Sequence, residues 1–295
     1  MTSSGKQAHL KFGAHIYVWQ DRYTDDDLLR ILDSSARLGL EILEVGIGDD
    51  IKFDADALAQ ESRARNIELA MSPGGVWPMN CDISLKDEND RLAGIAWHKR
   101  AIDTCAECGA TTYAGAIYGH PGRVSRGPAD PDEPKRVADG LRELAEYGAQ
   151  RNVRLAIEPM SHFRTHVANT PRQINTLLAL ADHPNLYSLM DTYHLTTEVP
   201  DLTQALVEMH PRLWGIHACE NTRGAVGTGF LPWPDLAKKL VALQWNGYIG
   251  FEAYNSSWRG GAFARERGMF HNVCPDAEAF ISASMKKLQT LFNAC

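Results

Sequence analysis

The sequence predicts an α/β fold, a single (β/α)8 TIM barrel that occupies residues 1–295. Short apolar runs alternate with longer amphipathic runs, and this pair recurs along the chain at roughly 30 residues per unit. Right-handed crossovers close such units into a parallel barrel. A doubly wound open sheet is the competing fold, but the first strand continues into "IYVWQDRYT", which lacks a GxGxxG turn.

Eight apolar runs are the predicted strands. In chain order they are "LKFGAHIYVW", "LEILEVGI", "IELAMSP", "TTYAGAIYG", "VRLAIEP", "LYSLMD", "LWGIHA" and "YIGFEAY". Two long segments, "GHPGRVSRGPADPDEP" and "NSSWRGGAFARERGMFHNVCPD", each follow a strand. Loops after the strands of a barrel lie on its active-site face, so we expect both segments there.

The helices between the strands carry their own start signals. "TDDDLLRILDSSARLG" has Thr24 as N-cap, and "TPRQINTLLALADH" has Thr170 as N-cap with Pro171 at the first helical position. "DENDRLAGIAWHKRAIDTCAECG" predicts a long helix that ends on a glycine, and "DEPKRVADGLRELAEYGAQRN" predicts another. No linker or low-complexity stretch divides the chain.

Composition excludes several classes of partner. The chain has 295 residues, a formal net charge of -7 and 44% hydrophobic residues. An acidic chain without Lys/Arg-rich tracts is a poor nucleic-acid binder. No apolar run is long enough to span a bilayer, and the N-terminus lacks the apolar core of a signal peptide. We therefore expect a cytoplasmic protein with no membrane or nucleic-acid partner. We separately expect a homo-oligomer.

Six scattered cysteines are typical of reduced thiols in a cytosolic protein. Cys105 and Cys108 form a CxxC, the spacing of a redox pair or of half a zinc site. They lie late in a predicted helix, and no second CxxC is present. We interpret them as ordinary helix residues.

Four consecutive predicted strands end on ionisable residues. "AIEP" ends on Glu158, "LMDTYH" contains Asp191, "GIHA" contains His217 and "GFEAY" contains Glu252. The carboxyl ends of barrel strands converge on one mouth, so three carboxylates and one imidazole meet there. Crowded carboxylates repel one another, and a divalent cation relieves the repulsion. The sequence therefore predicts one metal ion held by these four residues.

Each of these residues has an ordinary structural explanation when taken alone. A glutamate at a strand end is usually a solvated rim charge, Asp191 could cap the next helix, and His217 could be a satisfied core histidine. Their joint occurrence at successive strand ends favours the metal site. A ligand set of oxygens with one nitrogen favours Mn²⁺, with Mg²⁺ or Co²⁺ as alternatives, over zinc.

The motifs "IEP", "NT" at 169–170, "MDTYH", "GIHACENTRGAVGTGFLPW" and "GFEAY" make the chain resemble the ketose 3-epimerases. This family includes the D-tagatose and D-psicose 3-epimerases and belongs to the xylose isomerase-like superfamily of barrels. The resemblance is strongest over residues 153–254 and looser in the first half, through "LEVG" and "YAGAIYG".

The resemblance implies a C3 epimerase of a ketose or ketose derivative. It implies that the four ligands bind one Mn²⁺ and that Glu158 and Glu252 act as acid and base on opposite faces of the substrate's C3. It also implies that His194 and Arg223 contact the substrate near its carbonyl. Removing a proton next to a carbonyl needs a positioned base and a Lewis acid for the enediolate oxygen, which agrees with this set.

The resemblance breaks at "SHFR". The family has a substrate-binding glutamate at the position of Arg164. An arginine offers five donors and no acceptor, so Arg164 suits a substrate with a carboxylate, a phosphate or a ring carbonyl. Alternatively, Arg164 turns outward and pairs with an acidic residue.

This departure supports a second enzyme class, the β-eliminating lyases that act on 3-keto glycosides. The large subunits of bacterial C-glycoside deglycosidases are similar proteins, and a lyase of this kind would take a small β-rich partner subunit. Four aromatic residues in long loops would hold the aglycone, cover a sugar or contact another subunit, namely Trp19, Trp77, Trp258 and Phe270. A DNA-repair nuclease and a non-catalytic sugar-binding protein fit the sequence less well.

Overall fold

Eight parallel strands pair in chain order and close into a barrel in the computed structural model, which describes residues 10–295. The strands are β1 (Lys11–His15), β2 (Ile42–Ile47), β3 (Glu68–Pro73), β4 (Thr112–Gly115), β5 (Arg154–Ile157), β6 (Leu186–Asp191), β7 (Leu213–Ala218) and β8 (Tyr248–Phe251). The last strand pairs with the first, Gly13 lying opposite Gly250. The predicted (β/α)8 barrel is confirmed.

Helices follow the strands on the outside of the barrel. They are α1 (Asp25–Arg37), α2 (Ala55–Ala64), α3 (Glu88–Glu107), α4 (Glu133–Ala149), α5 (Pro171–Ala181), α6 (Thr192–Leu195), α7 (Leu202–Met209), α8 (Trp233–Ala242), α9 (Ala262–Glu266) and α10 (Ala277–Asn293). Within residues 10–295, no helix is both long and apolar enough to cross a membrane.

The predicted helix starts at α1 and α5 are confirmed. The side chain of Thr24 accepts a hydrogen bond from the backbone N–H of Asp27, and the side chain of Asp27 accepts one from the backbone N–H of Thr24. Thr170 and Gln173 make the same reciprocal pair at α5, with Pro171 in the first turn. Such capping boxes satisfy backbone N–H groups that the helix leaves without partners.

Two strands are shorter than the predicted apolar runs. The first run leaves the sheet after His15 and continues as a 3₁₀ turn over Ile16–Val18. The fourth run ends at Gly115, whose φ of +127° lies outside the range that residues with a side chain adopt readily. Both changes send the chain into loops at the carboxyl end of the barrel. That all 295 residues form one domain stays a prediction.

Side chains that alternate along the strands divide the barrel into a packed lower part and a polar mouth. Ala156, Leu189 and Tyr248 belong to one small apolar cluster across the strands. Glu158 stands two residues after Ala156, and Asp191 two after Leu189. Because successive side chains of a strand point to opposite faces, these carboxylates face the same side as the apolar residues below them.

Candidate functional site

The structure brings together the four ionisable side chains predicted at the strand ends. Asp191 is the last residue of β6, and His217 lies in β7. Glu158 and Glu252 are the first residues after β5 and β8. All four are buried, with exposed fractions between 0% and 9%.

The imidazole of His217 stands at the centre of the group. Its Nδ1 lies 3.2 Å from Oε2 of Glu252 and 3.9 Å from Oε2 of Glu158. One potential ligand atom from each of Glu158, Asp191 and His217 falls within 4.8 Å of the others. Atoms this close surround a point that a single cation can reach.

The opposite ring nitrogen of His217 is occupied by Glu44, a residue of β2. Its Oε2 lies 2.9 Å from Nε2 of His217, and the Glu44 side chain is fully buried. Histidine ligands of metal ions usually donate their second N–H to a carboxylate in this way, which fixes the ring and its tautomer. Glu44 therefore leaves Nδ1 free to act as the ligand atom.

Two atoms of the cluster lack hydrogen bonds among the described residues. These buried atoms are Oε2 of Glu158 and Nδ1 of His217. Burial raises the pKa of Glu158 to about 8. Burial alone lowers the pKa of His217, but Glu44 and Glu252 outweigh it and raise that pKa well above its ordinary value. The site thus attracts positive charge, and its donor set fits a divalent cation.

Arg223 supplies a fixed positive charge beside the same carboxylates. Its Nη1 donates to Oδ2 of Asp191 and to Oε2 of Glu252, each at 2.7 Å. The side chain is fully buried, and its backbone is left-handed with φ at +61°. Burial by itself raises the pKa of Glu252, but Arg223 and His217 hold it well below the ordinary value. Glu252 is therefore ionised, and its carboxylate is held in one position.

The imidazole of His194 has a hydrogen-bond partner at each of its two ring nitrogens. Nη2 of Arg223 lies 3.0 Å from Nε2 of His194, and Oγ of Ser161 lies 2.9 Å from its Nδ1. Burial and the charge of Arg223 lower the pKa of His194 well below its ordinary value. The imidazole is therefore neutral, and Nε2 accepts the hydrogen bond from Arg223.

A cavity of about 550 Å³ opens above the cluster. Glu158, His217, Glu252 and His194 line it, whereas Asp191 and Arg223 lie beneath its surface. The volume is in the range of small-molecule sites, and a cavity at this end of a barrel is the expected place for chemistry. The predicted substrate contact of Arg223 stays a prediction, and the structure places this residue in the floor.

Arg164 also lines the cavity and is half-buried. The structure gives its side chain no hydrogen bond or ion pair to any residue in 10–295. The alternative in which Arg164 turns outward to an acidic partner is therefore wrong. Its guanidinium is available to a ligand.

The four loop aromatics predicted near the site separate into different environments. Trp77 is 7% exposed and lines the cavity, with the more exposed Val76 and Met79 beside it. Trp19 and Trp258 pack against the apolar core, and neither lines the cavity. Phe270 is 81% exposed. Of the four, Trp77 alone is placed to touch a bound molecule.

Sequence reasoning missed several residues that build the site. Glu44 orients His217, Ser161 contacts His194, and Arg267 lines the cavity from the loop after β8. A signal for Glu44 exists, since it is a carboxylate inside the apolar run "EILEVGI". Nothing local distinguishes Arg267 from the exposed Arg265 in the same loop.

The CxxC lies away from the cavity. Cys105 and Cys108 are both buried in the core that packs against α3, and burial raises the pKa of each thiol. A raised pKa disfavours the thiolate that redox and metal chemistry require. Their interpretation as ordinary helix residues is supported.

A closed parallel barrel with carboxylates and an imidazole at its mouth defines the general class of this protein. The sequence model of the family described as Xylose isomerase-like TIM barrel matches residues 32–273, so the chain belongs to that family. The resemblance found in the sequence is confirmed within it, because the curated relatives include proteins named ketose 3-epimerase.

Two relatives match nearly the whole chain. The chain is 26% identical to a probable ketose 3-epimerase of Synechocystis sp. over 99% of both sequences. It is also 26% identical to the ketose 3-epimerase of Arthrobacter globiformis, covering 96% of this chain and 99% of that protein. A solved L-ribulose 3-epimerase superposes with a TM-score of 0.89 at 22% identity, over 97% of this chain and 95% of that one.

Proposed function

We propose that this protein is a metal-dependent sugar epimerase that moves a proton on the carbon next to a carbonyl, with a ketose or ketose derivative as substrate and C3 as the epimerised carbon. The observation that carries the proposal is the placement of two glutamates, Glu158 and Glu252, on the same nitrogen of His217 under one cavity. The names of the relatives support the same activity.

The cation would be held by Glu158, Asp191, His217 and Glu252. When bound, it supplies a Lewis acid for the negative charge that develops on the substrate oxygen. The mixed oxygen and nitrogen donors favour Mn²⁺, with Mg²⁺ or Co²⁺ as alternatives.

The two glutamates exchange the proton with the substrate. Glu252 is kept ionised by Arg223 and is able to accept a proton, whereas burial keeps a proton on Glu158 more readily. One carboxylate takes the proton from one face of the carbon, and the other returns a proton to the opposite face. Inversion at that carbon is the result.

The neighbouring side chains hold the substrate in place. The neutral imidazole of His194 lines the cavity. Arg223 holds His194 and Glu252 in position through a hydrogen bond to each. Trp77 closes one side of the cavity with an apolar surface. These contacts orient a sugar and exclude water from the reacting carbon.

The test is a product screen by NMR in heavy water, with the protein loaded with Mn²⁺. Deuterium at C3 of a ketose, together with the inverted sugar, is the expected result. Chelation should abolish the exchange, and adding back Mn²⁺ or Co²⁺ should restore it. Exchange that survives complete removal of metal would refute the metal-dependent reaction.

A second candidate is β-elimination from a 3-keto glycoside, which begins with the same proton removal. The apolar rim favours it, because Val76 and Met79 are about half exposed and both line the cavity beside Trp77. Such a surface fits an aromatic aglycone. The same screen identifies this reaction by an unsaturated sugar and a released aglycone. A homo-oligomer, a cytoplasmic location and, for the lyase, a small β-rich partner subunit stay predictions.

A further inference from the structure

Two guanidinium groups face the cavity without a carboxylate partner. The side chain of Arg164 forms no hydrogen bond or ion pair, and that of Arg267 forms no ion pair, among residues 10–295. Arg267 donates to the hydroxyl of Tyr17 at 3.2 Å and packs over the ring of Phe263 at 4.2 Å. The side chain of Arg267 is therefore held in place, while its charge is not neutralised.

The acidic residues close to Arg267 are already engaged. Glu266 also lines the cavity, but its carboxylate pairs with Arg259 at 3.2 Å. Arg259 additionally binds the buried carboxylate of Asp21 at 2.6 Å. Arg259 therefore neutralises both nearby carboxylates. The guanidinium of Arg267 remains able to bind a molecule in the cavity.

Arg164 and Arg267 come from different segments of the chain but line the same cavity. Tyr254, two residues after Glu252, lines it as well, and its ring centre is 5.4 Å from Cζ of Arg267. Both guanidinium groups therefore open into the cavity that Glu158 and Glu252 line.

The chemistry of the pair is specific. A guanidinium has five N–H donors and no acceptor. It binds two oxygens of a carboxylate or a phosphate through two parallel hydrogen bonds. A neutral sugar hydroxyl offers weaker, uncharged acceptors. Two guanidinium groups without acidic partners therefore complement an anion better than an uncharged sugar.

We infer that the native substrate is an acidic keto sugar, and that Arg164 and Arg267 bind its carboxylate or phosphate while the carbons next to its carbonyl meet the metal cluster. This inference rests on the proposed function and specifies its substrate class. The cavity wall then carries two kinds of group, carboxylates that take a cation and two arginines that take an anion. A substrate with one anionic group then binds in one orientation.

The experiment compares three sugars with the same carbon chain, using the full protein loaded with Mn²⁺. Fructose is the neutral probe, fructose 6-phosphate the phosphate probe and fructuronate the carboxylate probe. Solvent deuterium exchange gives kcat/KM for each. We expect one acidic probe to exceed fructose by at least about 10-fold, the range of a charge-assisted hydrogen bond, and the preferred probe identifies the anion.

Variants assign the preference to the two arginines. Arg164→Gln and Arg267→Met should each lower kcat/KM for the acidic probe by about 10- to 100-fold, mainly through KM, and should lower it clearly less for fructose. Arg164→Gln removes no side-chain hydrogen bond or ion pair found among residues 10–295, so this variant still tests the inference if Arg267→Met proves unstable. Arg126→Gln is the matched control, because Arg126 is exposed, lies outside the cavity and carries the same charge.

The outcomes separate the two proposals. If fructose exchanges as fast as both acidic probes and Arg164→Gln changes nothing, the inference is overturned and the epimerase survives. If no probe exchanges deuterium, the proposed function fails, and calorimetry with inorganic phosphate then decides the inference. Binding that weakens in Arg164→Gln but not in Arg126→Gln supports an anion site, and equal binding in all three proteins overturns it.

Discussion

Both halves of the barrel place polar side chains at its mouth, but the two sets differ in their hydrogen bonds. In the first half, His15 and Ser72 are hydrogen-bonded at 2.8 Å, and the hydroxyl of Tyr17 donates to the carbonyl of Gly74 at 2.6 Å. In the second half, atoms of Glu158 and His217 remain buried without a hydrogen bond to the described residues.

This difference indicates that the first half of the barrel supports the site and that the second half carries the groups that meet a ligand. Strands β1 and β3 pair His15 with Ser72, and β2 contributes Glu44, whose Oε2 orients His217 while its Oε1 has no hydrogen bond among the described residues. Strands β5–β8 present groups whose partners must come from a ligand. A buried polar group without a partner destabilises the fold, so its retention points to a function.

The strongest test of this division removes each proton-transfer group. Glu158→Gln and Glu252→Gln should each lower turnover by about 10²–10⁴-fold, the usual contribution of general acid–base catalysis. Activity and metal content should be measured on the same samples. A variant with full metal and near-full activity would show that its glutamate is a ligand and nothing more. Glu68→Gln, at the far end of β3, is the control and should leave turnover unchanged.

The pH dependence of stability gives the next largest effect. In metal-free protein the pKa of Glu158 is raised from 4.5 to about 8, so the folded state binds more protons than the unfolded state between these values. The contribution of Glu158 to the free energy of unfolding should therefore fall by a few kcal/mol as pH rises through this window.

Urea unfolding at several pH values measures this loss. Glu158→Gln should lose less stability over the window than the parent, and Mn²⁺ should remove the loss from the parent because the cation stabilises the carboxylate. Identical pH profiles for the parent and Glu158→Gln would mean that this carboxyl group is solvated.

The supporting half is tested through Glu44. Glu44→Gln removes the carboxylate from Nε2 of His217, and loss of such a partner typically weakens metal binding by about 10–100-fold. Competition with a fluorescent chelator measures the dissociation constant for Mn²⁺. Glu68→Gln is again the control, because Glu68 pairs with Lys11 away from the mouth. Equal affinities in the two variants would remove Glu44 from the site.

The smallest predicted effect is confined to the scaffold. Thr24→Ala breaks the capping box of α1 and should lower the free energy of unfolding by about 1 kcal/mol without changing kcat/KM. Thr176→Ala, an exposed threonine inside α5, is the matched control and should be neutral or slightly stabilising. A change in kcat/KM for Thr24→Ala would show that the scaffold and the site are not independent.

Local sequence signals predicted the elements because their causes are local. The capping boxes that begin with Thr24 and Thr170 satisfy backbone groups within one helical turn. Strand lengths were predicted less well. The first strand stops at His15 although apolar residues continue, since Ile16–Val18 form a buried 3₁₀ turn outside the sheet. An apolar run indicates that a segment is buried. Only the surrounding structure decides whether that segment is a strand, a helix or a turn.

The sequence also predicted which groups meet at the mouth. Each of the four predicted ligands lies within one residue of the end of a strand, and closure of a parallel barrel brings strand ends together whatever their separation along the chain. It did not predict Glu44, which lies 173 residues from His217. That contact depends on how far the two strands are staggered across the barrel.

The sequence alone determined the order of strands and helices, the barrel and the four ionisable residues predicted at its mouth, because strand periodicity and capping act over a few residues. Tertiary structure decided which nitrogen of His217 is free, that Arg223 lies in the floor, and that Arg164 faces the cavity. It also moved Trp19 into the core and Arg267 to the cavity wall. These outcomes depend on distances between residues far apart in the chain, which closure of the barrel and packing of its loops alone establish.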